Sequence, residues 1–270
     1  MNYFNLDVLK RNIRLCIFLF MIFLVLSCSR ENGTEPLTLE TYGMREFGGI
    51  KLSGEHVIHS QNSIGSIYID GKVLDDTLLV YIYKTITAES KKLAQDHFSD
   101  IRLKHFSLND TLYTSIDQVY HPKIEQYSCA LFLTIPYQME CMIQNTKEKV
   151  SVSDLNSKLI VKDSNDEIEV IRHIGSCEVN TLEGNISIEV AIPDSGFCRG
   201  ITACGDIFLK IPDTTSAKLS AYSHSGKVEY SNLTFANIIQ KSDSLAGILE
   251  KGSGQIYLET NEGDIQIIGF

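Results

Sequence analysis

The stretch "GSGQIYLETNEGDIQIIGF" (252–270) closes the chain and says one thing twice. Gly254-Gln255-Ile256-Tyr257-Leu258 is answered nine residues later by Gly263-Asp264-Ile265-Gln266-Ile267. Apolar–polar–apolar is a short strand with one buried face, because strand side chains alternate. The same pair recurs upstream at Val228/Tyr230 and Ile207/Leu209. A strict nine-residue series precedes these: Ile186/Ile188, Cys177/Val179, Ile168/Val170, Leu159/Val161 and Val150/Val152. Leu219/Ala221 adds a further pair, nine before Val228/Tyr230.

A second register agrees with the first. The position two before the leading apolar residue is Gly175, Gly184, Gly205, Gly226, Gly254 and Gly263, while Glu148, Ser157 and Asp166 fill it in the early units. With 18 glycines in 270 residues, chance places fewer than about one in those slots, so the repeat is real. These are expected to be turn glycines, letting the chain pass through positive φ without a Cβ clash.

A strand and a turn every nine residues leave no room for a helical crossover. Coiling the chain with like positions stacked, about 18 residues and two strands per turn, buries each apolar pair in one column. The expected fold is therefore mainly β, a single-stranded parallel β-solenoid rising about 4.8 Å per turn. An antiparallel sandwich of evenly spaced strands is the alternative. Longer intervals at 188–207, 209–228 and 230–256 read as loops on later turns, among them AIPDSGFCRG and SNLTFANIIQKSDSLAG. About five short turns are expected, with the Phe270 end of the last one open to a partner or a loop.

Residues 47–135 lack the period and form a small β/α lead-in, leaving 136–270 as the solenoid. IGSIYIDGKV (64–73), TLLVYIYKTI (77–86), TLYTSIDQV (111–119) and YSCALFLTIP (127–136) read as strands, with turns at Asp70-Gly71 and Asp75-Asp76. AESKKLAQDHFSDI (88–101) reads as a helix, Thr87 being its expected cap.

The N-terminus is a targeting segment. Lys10, Arg11 and Arg14 precede an apolar run from Leu15 to Leu26. Twelve helical residues span about 18 Å, short of the roughly 30 Å hydrocarbon core, as in a signal peptide. Val25-Leu26-Ser27-Cys28 resembles the bacterial lipobox. Residues 1–27 are then a lipoprotein signal peptide, Cys28 the acylated N-terminus carrying palmitate-type chains, and 28–46 a tether. Acyl chains at about 0.8 kcal/mol per buried methylene make such anchoring essentially permanent. Ser29, where an inner-membrane signal would place Asp, favours the outer membrane in a two-membrane cell.

The formal net charge is −10, and loss of Lys10, Arg11 and Arg14 against Asp7 alone makes the mature chain more acidic. Such a surface repels phosphate backbones, so nucleic acid is excluded as a partner class. Cys129, Cys141, Cys177, Cys198 and Cys204 contain no CxxC pair, which argues against zinc. A Cys198–Cys204 loop is conceivable outside the cytoplasm, whereas Cys177 falls on an inward repeat position. His56-Val-Ile-His59 places its rings on opposite sides of a strand. Ser223-His224-Ser225 offers a hydroxyl and a base without triad geometry. Asp206 and Asp264 follow turn glycines as in calcium-binding nonapeptides, but without their dense aspartates. No metal or cofactor is expected. Glu167, Glu169, Glu178 and Glu189 read as solvent-facing strand positions rather than the paired carboxylates of a polysaccharide-cleaving β-helix.

Four segments together resemble the bacterial adhesin-like family of unknown function with repeated G-[DNK]-[IV]-x-[VIL] units. They are LFLTIP (131–136), VSVSDLNSKLIVKDSNDEIEV (150–170), CGDIFLKIPDTTSAKLSAYSHSGKVEY (204–230) and GSGQIYLETNEGDIQI. Ser157 and Asp166 depart from its glycine position. The resemblance implies a right-handed β-solenoid in a cell-envelope protein, and it carries no binding residues. The function expected is non-catalytic contact by a lipid-anchored envelope protein. It would bind a glycan, a surface or an envelope protein through the loops at 191–200 and 231–247. The alternatives are a regulatory partner of an envelope signalling protein and, more remotely, a polysaccharide-active enzyme.

Overall fold

Val150, Val152, Ile168, Val170, Ile186, Ile188, Ile207 and Leu209 are each at most about one percent exposed, while the residues between them face outward. That alternation follows from the pleat, and it closes an apolar interior between two sheets. The computed structural model describes residues 38–73, 76–145, 147–163 and 165–270. The signal peptide, Cys28 and Asp75 lie outside the described residues.

The chain enters as β1 (Glu40–Lys51), β2 (Val57–Asn62), β3 (Ile67–Lys72) and β4 (Thr77–Ala88). Helix α1 (Lys91–His97) and a 3-10 turn (Phe98–Asp100) lead to β5 (Ile101–Leu108), β6 (Thr111–Gln118) and β7 (Gln126–Pro136). Strands then come in couples: β8 (Glu140–Asn145) with β9 (Val150–Ser153), β10 (Leu159–Asp163) with β11 (Ile168–Ile174), and β12 (Cys177–Glu183) with β13 (Ile186–Ala191). Next follow β14 (Phe197–Cys204) with β15 (Ile207–Ile211), and β16 (Ala217–Ser223) with β17 (Val228–Ser231). The chain ends with the hairpin β18 (Phe235–Gln240)–β19 (Ser244–Leu249), then β20 (Gly254–Glu262) with β21 (Ile265–Gly269).

One member of each couple joins a ten-stranded sheet ordered β1-β4-β7-β3-β9-β11-β13-β15-β21-β17. The other joins an eleven-stranded sheet ordered β18-β19-β16-β20-β14-β12-β10-β8-β2-β6-β5. Most neighbours are parallel, and Ile168 pairs with both Val150 and Ile186, eighteen residues to either side. This is a β-solenoid stack rather than an antiparallel sandwich. Antiparallel pairing is confined to the two ends, at β1–β4–β7, β5–β6 and β16–β19–β18.

Several expectations need correction. The intervals read as loops hold strands β14, β18 and β19, besides β16, which carries the expected Leu219/Ala221 pair. Residues 191–200 are only in part a turn, since β14 begins at Phe197, and 231–247 is largely an antiparallel edge hairpin. The stretch 47–135 supplies β2, β3, β6 and β7 to the same two sheets, so the stack has more turns than the repeat alone indicates. Strand β1 begins at Glu40, within the segment expected as tether. Ser90, not Thr87, caps α1 by accepting from the Leu93 amide at 3.3 Å, because β4 runs on to Ala88.

The largest departure concerns order. The couple β20/β21, last in sequence, lies between β14/β15 and β16/β17. At the other end β2/β3, which precedes β6/β7 in sequence, lies between β6/β7 and β8/β9. The closing repeat is therefore an interior turn with both edges paired. The outer C-terminal edges fall instead on the four-residue β17 and the largely exposed β18. The four residues of β17 make a short edge that resists pairing with other chains, while β18 leaves Ile238 and Ile239 exposed; a regular apolar turn gains most from having neighbours on both sides.

Candidate functional site

The repeat corner explains the residues that spacing singled out. Gly184, Gly205, Gly263 and Gly226 stack in one column, and a Cβ on each of the last three would meet the carbonyl oxygen of the turn beside it at 2.1–2.2 Å. Gly175, Gly184, Gly205 and Gly263 have positive φ as expected; Gly226 and Gly254 do not. At Gly226 the constraint is the packed carbonyl of Gly263 rather than backbone conformation.

The residue after each glycine holds the next turn. Asn185 Oδ1 accepts from the Asp206 amide, Asp206 Oδ1 from the Asp264 amide, and Asp264 Oδ1 from the Lys227 amide, each at 2.8 Å. These side chains are thus structural acceptors along the stack. A third column escaped the sequence reading. Thr202, Thr260 and Ser223 donate their hydroxyls to the carbonyls of Gly184, Gly205 and Gly263 at 3.1, 2.8 and 2.7 Å. Its signal was present as a Thr or Ser three residues before the glycine, at 181, 202, 260 and 223.

The other candidate residues are dispersed. Cys198 lies beside Cys177 in the core with sulfurs 3.6 Å apart, and all five described cysteines are free. Cys198 and Cys204 lie six residues apart on the single strand β14, about 20 Å when extended, so no disulfide can join them. The Cys177 thiol beside it, together with burial, raises the Cys198 pKa; burial pushes Cys129 up to about 12. Ser223 and Ser225 donate to the carbonyls of Gly263 and Asn261, while His224 Nε2 meets Glu259 at 3.2 Å. The Tyr257 hydroxyl, 2.6 Å away, and His224 hold the Glu259 carboxyl below its usual range. His59 packs edge-on against Tyr113, and burial lowers its pKa. Among the described residues no three His, Cys, Asp or Glu side chains gather as metal ligands, and no helix is long and apolar enough to cross a membrane.

What the structure assembles, and sequence spacing did not, lies at the β1 end. On the outer face of the ten-stranded sheet Phe47, Tyr81, Phe132 and Tyr68 stand opposite one another on β1, β4, β7 and β3. Their ring centroids are separated by 4.7, 5.0 and 4.5 Å in that order. Leu79 and Tyr83, on the same face of β4, are 48% and 37% exposed, and the Arg45 guanidinium lies 5.9 Å from the Tyr83 ring centre. Beyond β3 the row continues as Ser151, Glu169, Ser187, Phe208, Gln266 and Glu229, polar apart from Phe208, and ion pairs flank it: Lys149 bridges Glu167 and Glu169, and Lys210 meets Glu189.

Behind β1 the two sheets gape. A cavity of about 610 Å³ opens there, lined by Glu46, Ile50, Ile82, Lys84, Ile101 and Leu103. Lys84 is 3% exposed, and its ammonium donates to Glu46 at 2.6 Å and to the Phe98 carbonyl at 3.4 Å. The buried cation is thereby paired, as burial requires. Chemically this end offers aromatic and apolar surface beside fixed charges, suited to stacking and contact.

Comparison with curated proteins finds no match. Among solved structures, the chain is similar to a candidate cell adhesion protein of Clostridium sporogenes ATCC 15579, at 12% identity and a TM-score of 0.47, covering 85% of this chain and 100% of that one. It is similar also to a candidate adhesin of Bacteroides fragilis NCTC 9343, at 12% identity and TM-score 0.34, covering 83% and 97%. A candidate lipid binding protein of Parabacteroides distasonis ATCC 8503 matches at 13% identity and TM-score 0.23, covering 84% and 96%. Residues 86–268, from within β4 to β21, match the Toastrack DUF4097 family over well more than half the chain, and the protein belongs to that family.

Proposed function

We propose that the protein is a lipid-anchored envelope module whose task is contact, made by the aromatic end of its ten-stranded sheet and involving no catalysis. The observation that carries this reading is the asymmetry of one outer face. Phe47, Leu79 and Tyr83 are exposed on β1 and β4 and adjoin the half-buried Tyr81, Phe132 and Tyr68, while the strands beyond β3 carry mainly polar and ion-paired side chains, with Phe208 and Ile268 as half-buried exceptions. A contiguous exposed apolar patch rimmed by charge is the usual mark of a binding surface. Planar aromatic rings beside Arg45 suit a glycan or a protein surface.

Cys28 supplies the anchor in this reading, the outer membrane the location, and the solenoid a rigid post. The coil is right-handed, of about 18 residues per turn where strand partners have that spacing. Leu79→Glu and Tyr83→Ser, both at exposed positions, test the surface. Each should leave thermal melting unchanged and abolish saturable binding to whichever member of a glycan and surface panel the native protein retains. Binding that survives both substitutions overturns the reading. Capture of one stoichiometric membrane protein of the same cell, lost with the same substitutions, identifies that protein as the contact. Cys28→Ser should move the protein from the membrane to the soluble fraction.

A further inference from the structure

Among the described residues strand β1 is a twelve-residue edge with no partner on its outer hydrogen-bonding side, and its sequence is unusual for such a position. It carries three glycines, Gly43, Gly48 and Gly49. Gly43 has a local reason, since the Tyr83 hydroxyl occupies the space of its Cβ at 2.5 Å. Gly48 and Gly49 line the cavity behind β1, but no neighbouring atom requires glycine at either position. A Cβ on Gly48 meets nothing within 4 Å, one on Gly49 makes only ordinary contacts, and neither residue has positive φ. Glycine inside a strand costs about 0.5–1 kcal/mol relative to alanine, so two without local cause mark a place where another backbone approaches closely. Phe47, between them and the charged pair Arg45-Glu46, is 80% exposed and ends the aromatic row with one ring face uncovered.

We infer that β1 pairs antiparallel with β1 of a second copy of this chain, about a two-fold axis passing beside Phe47. A two-fold relating edge strands stands normal to the sheet, so facing residues must share a face and their numbers must sum to an even value. Centring the axis on residue 45 or 46 sets Arg45 against Arg45 or Glu46 against Glu46, which like charges oppose. Centring on 47 removes every conflict between 43 and 51. Arg45 then faces Gly49, Glu46 faces Gly48 and Lys51 faces Gly43, so each charged side chain of the segment lies over a glycine. Met44 faces Ile50, and Phe47 stacks on its mate. The row Tyr68–Phe132–Tyr81–Phe47 continues through the axis into the same row of the second copy. Gly48 and Gly49 thereby acquire the role that the single chain does not give them, and the long edge is consumed in a closed pair rather than an open filament. The inference goes beyond the contact surface proposed above and does not depend on it, since Leu79 and Tyr83 remain exposed on the outer face.

Sedimentation of the whole chain should show a dimer that Phe47→Glu converts to monomer without lowering the melting temperature of the monomeric fold. Register is read by cysteine substitution in a chain whose Cys16, Cys28 and Cys204 are serine. Phe47→Cys should cross-link to itself under mild oxidation, whereas Arg45→Cys and Gly49→Cys, which face each other's positions rather than their own, should not. A native chain that sediments as a monomer at all accessible concentrations overturns the inference, as does a dimer that Phe47→Glu leaves intact. Equal cross-linking at 45, 47 and 49 overturns the register. None of these outcomes bears on binding by Leu79 and Tyr83, so the two readings fail separately.

Discussion

At Gly205 a side chain has nowhere to go: φ is +147°, and a Cβ would lie 2.2 Å from the Gly184 carbonyl oxygen. Gly205→Ala should therefore lower unfolding free energy by more than the roughly 1 kcal/mol of an ordinary strand substitution, about 3 kcal/mol or beyond, read from a denaturant midpoint shift at constant slope. His173 gives a different residue-scale expectation. It is 1% exposed, and burial holds its folded pKa below the ordinary value. The unfolded chain then binds the extra proton as pH falls through about 6.5, so stability falls with it and levels off below the folded pKa. Melting temperature should drop between about pH 7.5 and 5.5, and His173→Gln should shrink that drop. A variant whose pH dependence matches the native chain removes His173 as the cause.

Among the elements, the inward pair of each strand decides whether the couple docks. Val170 is 1% exposed and its strand β11 is flanked by β9 and β13. Val170→Asp buries an unpaired charge among Val, Ile and Leu, which costs about 3 kcal/mol or more even after the carboxyl protonates. Loss of the cooperative melt is the expected result, and an undisturbed melt would place Val170 outside the core. The helix shows how local a miss can be. Thr87 and Ser90 both have capping hydroxyls, but residues 77–88 alternate buried and outward as strand, so only Ser90 lies at a helix start.

For the whole molecule the interior position of the last repeat has a direct consequence. Truncation after residue 253 removes β20 and β21, the parallel partners of β14, β15, β16 and β17. Were the last repeat outermost, its loss would only fray one end. As placed, its loss disconnects the β16–β19 layer from the stack, so hydrogen exchange should lose protection across 217–249 while 150–190 stays protected. Protection retained at 217–249 would show that the layer holds without the inserted turn.

The sequence by itself determined the strands, their inward faces, the turn glycines and the parallel stacking of the middle turns, because alternation and glycine tolerance are properties of a few consecutive residues. It also held, unread, the hydroxyl column at Thr202, Thr260 and Ser223, whose signal is as local as the glycine. Only the tertiary structure decided that the last repeat inserts before β16/β17 and that β2/β3 inserts behind β6/β7. It alone decided that Phe47, Tyr81, Phe132 and Tyr68, drawn from four strands of which only β3 and β4 are consecutive, form one row. Repeat edges present nearly identical ladders of N–H and C=O, so the local pattern admits many stacking orders. Which turn meets which is fixed by long-range pairing and by the ends that must be covered, and neither is written in any one stretch of nine residues.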